Sequence, residues 1–303
     1  MKEKVLILYT EKQYTPFNEA VSAEMISGIK DIISRNENCR VAAKIYRPST
    51  ISQTLNEYKP DLIFNFSYGF KSPDDERMET QADITEKLES DGHTILGSSA
   101  SMQRVAQDKS LWPAHLQKEG IKCPVPVSSD VNAPLPRLCI EKPVFGACHR
   151  NVRIIDTQKE MLQRKENYLY QEYLPGPEFT VGLLEQTPGT IVFSPMEVKF
   201  DREPNALGTD TKPVDYIPDH EDVYGIKAIA SKIFTTLKLR DYARLDFRID
   251  GNGHPVIMDV NSMPNLDPEN SFFPMLAAFN GLSYDELITK LFQNLRSRAV
   301  HQA

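Results

Sequence analysis

The sequence predicts a mixed fold, α/β over its first third and α+β beyond it. Three features carry that expectation: strand-like and amphipathic segments alternating near the N-terminus, a run of strand signals in the middle, and a hairpin rich in charged residues near the C-terminus. At the N-terminus, residues 5–9, 40–45 and 61–66 are short β-prone runs, and residues 17–34 carry apolar positions at helical spacing. Strands that alternate with helices are joined by crossovers, the mark of an open parallel sheet with helices on its faces. Residues 78–90 then read as a helix, 93–96 as a short strand and 108–119 as a helix ended by Gly120, with Pro124 and Pro126 in a connector.

In the middle, strand signals recur at 138–142, 151–155, 168–173, 179–184 and 191–199, with a helix expected at 157–164. Runs of strands with a single helical interruption imply an α+β unit on antiparallel sheet. Residues 201–218 hold several prolines and few large apolar side chains, and read as a long loop of the kind that serves function. A helix is expected at 220–239, packing Val223, Ile226, Ile229, Ala230 and Ile233 on one face. The last helix opens with Ser283 and Glu286 at capping-box spacing and continues through Leu287, Ile288, Leu291, Phe292 and Leu295.

The third feature is the stretch from Tyr242 onward, where two strand-like segments meet at the Asp250-Gly251-Asn252-Gly253 turn. Residues two apart on a strand share a face, so Arg244 accompanies Asp246 and Asp259 accompanies Asn261. A hairpin then gathers two carboxylates, an amide oxygen and a guanidinium. That set is a hard-oxygen site for magnesium with an anion clamp beside it.

The net charge of −7 argues against a nucleic-acid binder, which neutralises phosphates with a basic surface. Apolar residues at 40% and charged residues at 25% are ordinary for a globular chain, so the whole length is expected to fold. Met-Lys-Glu-Lys before Val-Leu-Ile-Leu-Tyr lacks the long apolar run of a signal peptide, and no segment is expected to span a bilayer; a cytoplasmic location follows. Cys39, Cys123, Cys139 and Cys148 match no zinc or redox spacing and are expected as reduced thiols.

Neither common glycine-rich nucleotide loop occurs in the chain. A nucleotide would need Lys109, at a helix start, and Lys142, at a strand end before Pro143-Val144-Phe145-Gly146, for its phosphates. Residues 169–181, Leu-Tyr-Gln-Glu-Tyr-Leu-Pro-Gly-Pro-Glu-Phe-Thr-Val, form strand, tight turn and strand, a hinge able to offer backbone groups of residues 172–174 to a purine edge and Glu178 to ribose hydroxyls. Each of these taken alone also reads as surface charge or an ordinary hairpin.

In order along the chain, Lys109, Lys142, Pro-Gly-Pro-Glu-Phe-Thr-Val and Arg-Leu-Asp…Asp-Val-Asn-Ser-Met-Pro resemble the ATP-grasp superfamily, and within it the D-alanine–D-alanine ligase-like carboxylate–amine ligases. The resemblance covers nearly the whole chain. It implies an N-terminal sheet domain at 1–97, a central lid at 98–174 and a C-terminal catalytic domain at 175–303, with ATP between the last two. It further implies phosphate binding by Lys109 and Lys142, an adenine slot lined by Gln171, Glu172, Tyr173, Leu174 and Met258, and ribose binding by Glu178. Asp246, Asp259 and Asn261 would hold two magnesium ions, with manganese as a substitute. The implied reaction activates a carboxylate as an acyl phosphate and joins it to an amine, both substrates being small and amino-acid-like, with Arg244 aiding charge stabilisation. Transfer to a carrier-protein thiol, or nucleotide binding without turnover, stays open on the sequence alone. No membrane partner is expected, and the pairing of family members through their N-terminal domains leaves a homodimer open.

The chain departs from the family where substrates bind. The lid turn reads Gly146-Ala147-Cys148-His149-Arg150 in place of a serine-rich turn, and Lys212 stands in for a loop lysine within an altered 199–216 segment. Ser271 matches a serine that binds the acceptor carboxylate, Glu19 matches an acid for the donor ammonium, and Gln171 replaces the adenine-side acid. Asn265, Asp267 and Glu269 make the pocket end more acidic.

Overall fold

The computed structural model describes residues 2–16, 21–74, 76, 78–128, 134–146, 151–159, 162–186, 188–200 and 213–302. Its first part is a parallel sheet of β1 (Lys4–Tyr9), β2 (Arg40–Ile45), β3 (Leu62–Phe66) and β6 (Thr94–Ile95), in the order β2-β1-β3-β6. Helices α1 (Ala23–Asn36), α2 (Ile51–Tyr58) and α3 (Gln81–Ser90) supply the crossovers, and β4 (Phe70–Lys71) pairs with β5 (Met78–Glu79) before α3. Burial on both faces explains the near-continuous apolar runs: Val5, Ile7, Phe64 and Phe66 pack with α1, while Leu6, Leu8 and Ile63 pack with α2 and α3. The expected helix at 78–90 starts only at Gln81. Thr80 and Asp83 form a capping box there, and the two residues before it join a strand instead.

Next come α4 (Ala100–Gln107) and α5 (Trp112–Gln117), where one helix at 108–119 was expected. The break follows from Asp108, whose carboxylate takes the Ser110 N–H and hydroxyl, and from Pro113, which suits a helix start. Lys109 therefore sits in a turn between two helices. A second sheet follows, in the order β8-β7-β9, from β7 (Leu138–Pro143), β8 (Arg153–Asp156) and β9 (Tyr168–Glu172). The helix expected at 157–164 is absent from the described residues of that span; a turn closes at Asp156, where its carbonyl accepts from Lys159 N.

The third sheet is antiparallel, in the order β13-β12-β10-β14-β15 with β11 also on β10: β10 (Glu178–Glu185), β11 (Thr190–Val192), β12 (Met196–Phe200), β13 (Pro213–Pro218), β14 (Tyr242–Ile249) and β15 (Pro255–Asn261). The strand expected at 191–199 is split, because Phe193 turns into the core against Gly182 and Phe273 while Asn280 accepts from Ser194 N. Residues 213–218, expected within a loop, form the edge strand instead. Helix α6 (Ile226–Thr236) starts later than expected, since Asp222 accepts from the Ile226 and Lys227 N–H groups and caps it there; Val223 lies before the helix and is 69% exposed. Its face of Ile226, Ala230 and Ile233 covers Val181, Leu245 and Phe247. Finally α7 (Phe272–Phe279) and α8 (Tyr284–Gln302) return to the first sheet, with Leu287, Ile288, Leu291, Phe292 and Leu295 all buried against α1 and β3. The Ser283–Glu286 capping box is present. Cys39, Cys123 and Cys139 are buried and form no disulfide among the described residues, and no helix among them is long and apolar enough to cross a membrane.

Candidate active site

The antiparallel pairing of β14 with β15 sets Asp246 opposite Asp259 and Arg244 opposite Asn261. Strand alternation sends Ala243, Leu245 and Phe247 into the core and Arg244, Asp246 and Arg248 to the other face. On β15 the register slips at Met258, which is left without a partner between Ile257 and Asp259. Ile257 and Val260 consequently share one core although they lie three residues apart, and Met258 and Asp259 both remain half-buried on the opposite side. A bulge thus allows one strand to offer neighbouring residues, Met258 and Asp259, to the same cleft.

Each carboxylate has a cationic companion. Arg244 grips Asp246 with two hydrogen bonds, Nε to Oδ1 at 3.1 Å and Nη2 to Oδ2 at 2.9 Å. Lys109 Nζ stands 3.4 Å from Asp259 Oδ1 and donates to the Gly146 carbonyl at 2.7 Å. Like charges directly opposite on paired strands repel, so Asp246 and Asp259 favour a cation between them. With the Asn261 carbonyl beside them, they make an all-oxygen donor set, and Asn261 Oδ1 is oriented by the Met263 N–H at 3.1 Å. Among the described residues no group of three or more His, Cys, Asp or Glu could hold a metal. Two carboxylates and an amide fit an ion that keeps its other positions for water and phosphate oxygens, as magnesium does.

The second sheet closes over this hairpin. On β7, Glu141 and Cys139 face a small core with Tyr170, and Ile140 and Lys142 face the other way. The Lys142 ammonium reaches the Met258 carbonyl at 3.3 Å. Burial pushes it down to about 8, with Lys109 adding repulsion and Asp259 pulling part of the way back. Gln171 pairs with Ile140 and so shares the Lys142 face; its Oε1 is buried without a hydrogen-bond partner among the described residues. A buried ammonium with one carbonyl contact and a buried acceptor with none suit a polyanion carrying an amine, which is what the phosphates and adenine of ATP present.

The other predicted residues fall around this cleft. Glu178 lies opposite Arg248, Oε2 to Nε at 3.8 Å, and the Arg248 guanidinium stacks 5.5 Å from the Tyr173 ring centre. Glu172 turns to the connector: its N–H donates to the Val125 carbonyl and its carboxylate accepts from Val125 N. Leu174 is buried. Gly176 crosses so close to β14 that a Cβ would lie 2.5 Å from the Ile249 carbonyl oxygen, which only glycine permits. Ser271 precedes α7 without a side-chain cap, beside Phe272, whose ring lies 5.3 Å beneath the Arg244 guanidinium. Glu19, Lys212 and the lid turn 147–150 lie outside the described residues. Two partners were not anticipated from the sequence: Arg248, and Thr180, which donates to Asp246 Oδ1 at 2.7 Å. Period-two alternation of 178–180 against 246–248 would have found both, given the strand pairing.

Residues 147–293 match the family model for the D-ala D-ala ligase C-terminus. A D-alanine–D-alanine ligase of Corynebacterium efficiens is 30% identical over 148 residues, 45% of this chain and 40% of that protein. The Aquifex aeolicus D-alanine–D-alanine ligase is 25% identical over 250 residues, 78% of this chain and 82% of the relative. The chain thus spans well under half of the first relative and about four fifths of the second. Among solved structures, the D-alanine–D-alanine ligase of Bacillus anthracis complexed with ATP superposes with a TM-score of 0.70 at 16% identity, covering 99% of this chain and 100% of that one. The VanG D-Ala:D-Ser ligase of Enterococcus faecalis gives 0.70 at 15% identity over 97% of this chain and 100% of its own. The order of three sheets, the cleft between the second and third, and these superpositions show that the chain has the fold of the solved ligases, and its residues 147–293 resemble the C-terminal part of that family.

Proposed function

We propose that this protein is an ATP- and magnesium-dependent ligase that forms an amide bond between two small amino-acid-like substrates. The observation that carries the reading is the opposed pair Asp246 and Asp259, flanked by Lys109, Lys142 and Arg244, with the Gln171 acceptor, unpartnered among the described residues, on the same sheet face as Lys142. Magnesium-bound ATP supplies the phosphoryl group that turns a substrate carboxylate into an acyl phosphate, from which an amine displaces phosphate. Asp246, Asp259 and Asn261 hold the metal; Lys109 and Lys142 neutralise phosphate oxygens; Arg244 stabilises negative charge at the reacting carboxyl. Gln171 accepts from the adenine amine, Met258 packs on the ring, and Glu178 accepts from ribose hydroxyls. Ser271 binds the acceptor carboxylate, and Glu19 and Lys212 complete the donor side.

The three sheets suit divisions near residues 97 and 174, with the nucleotide between the second and third units, and a cytoplasmic site of action suits the ATP requirement. The carrier-thiol and non-catalytic readings find no support in the relatives, and the convergence of Asp246, Asp259, Asn261, Arg244, Lys109 and Lys142 on one cleft favours turnover. Which pair of substrates is joined depends on the region where the chain departs from its relatives. Release of ADP, measured across a panel of D- and L-amino acids offered singly and in pairs, tests the proposal. ADP release that requires an amino acid and yields a dipeptide or related amide is expected; no release with any carboxylate would overturn it.

A further inference from the structure

Resting on that reading, we infer that Thr180 is a positioning residue that selects which oxygen of Asp246 faces the metal. Thr180 lies directly opposite Asp246 across the β10–β14 ladder and is only 2% exposed. An ionised carboxylate has no proton to give, so the 2.7 Å contact is donation from the threonine hydroxyl to Oδ1. The same oxygen also accepts from Arg244 Nε at 3.1 Å, whereas Oδ2 accepts only Arg244 Nη2 at 2.9 Å among the described residues.

A carboxylate oxygen has about two lone-pair positions. Oδ1 therefore has both directions taken by protein donors, one from a neighbouring strand and one from its own. Oδ2 keeps one direction, and it is the atom left for a cation. The threonine hydroxyl does more than fill space: without it the carboxylate could rotate about its own bond between the arginine and the metal, and part of the binding energy would go into stopping that rotation. Its burial keeps water from replacing it. Thr180 acts through Asp246 and does not itself touch the metal or the substrates.

The test is Mn²⁺ binding to the full-length protein saturated with a non-hydrolysable ATP analogue, followed by electron paramagnetic resonance, for wild type, Thr180→Val, Thr180→Ser and Asp246→Asn. Valine keeps the shape and removes the hydroxyl; serine keeps the hydroxyl. Loss of a hydrogen bond to a charged group predicts Mn²⁺ affinity about tenfold weaker in Thr180→Val and within about twofold of wild type in Thr180→Ser. Wild-type affinity in Thr180→Val, or equal weakening in both threonine variants, would overturn the inference while Asp246→Asn stays defective. Wild-type Mn²⁺ binding by Asp246→Asn would instead overturn the metal assignment on which it rests. Should valine compromise folding, Thr180→Ala removes the same hydroxyl and is compared with serine in the same way.

Discussion

Glu141 and Lys142 are neighbours on one strand, both buried and of opposite charge, yet they live in opposite circumstances. Glu141 is fully satisfied: Arg153 at 2.9 Å, Lys165 at 2.7 Å and the Tyr170 hydroxyl at 2.9 Å all reach it. Burial would raise its pKa, but the bonds from Lys165 and Tyr170 and the nearby Arg153 charge overcome that and hold it below the usual value. On the other face, among the described residues, the Lys142 ammonium has one carbonyl and nearby Gln171 Oε1 has no partner. Buried charge that is paired makes structure, and buried charge left short of partners is stored for a ligand. One strand thus separates a face that holds its own sheet together from a face that, in the proposed reading, takes the nucleotide.

The largest effect is expected where the waiting face meets the hairpin. Asp246→Asn should lower turnover by at least about 10³-fold while thermal unfolding stays near wild type, since the amide keeps the shape but loses the charge; a calorimetric melt beside an ADP-release assay checks both. The paired face should respond in the opposite sense. Glu141→Ala should lower stability by about 2 kcal/mol, the low end for a charged hydrogen-bond network because Arg153 and Lys165 are about half exposed, with nucleotide affinity little changed once folded. Denaturant melts and nucleotide titration would show it. Gln171→Leu removes a buried acceptor that no described residue satisfies, so stability should hold or rise while ATP affinity falls about tenfold. The smallest effect is in pH. Because the Lys142 ammonium loses its proton near 8 rather than near the usual 10.5, affinity for the ATP polyphosphate should fall as pH rises past about 8, by up to about tenfold per pH unit, and Lys142→Arg should flatten that slope. A nucleotide titration from pH 7 to 9.5 measures the difference.

Much of the site was legible because strands report their faces by twos. Arg244, Asp246, Asp259 and Asn261 stand opposite one another as alternation and the Asp250–Gly253 turn implied. Lys109 and Lys142 converge on the same hairpin from two separate elements. What stayed hidden depends on contacts between segments. The bulge at Met258 leaves no sequence mark, and Thr180 gains its role only when its strand is set beside β14. In the fold, the start of α6 shifted because Asp222 captured two amides, and the 191–199 strand broke where Phe193 found a core pocket next to Phe273. Both are tertiary choices that override local propensity. The helices α2, α4 and α7 were missed for the same reason: they are eight residues each, too short for periodicity to stand out.

Lys142→Met decides most directly between storage of charge for a ligand and a structural role. Methionine matches the length of the lysine stem and removes the buried ammonium. Parallel measurement of denaturant unfolding and of calorimetric binding of a magnesium–ATP analogue should show equal or greater stability together with affinity at least about 100-fold weaker. A variant that unfolds more easily and still binds the analogue as wild type does would contradict the account.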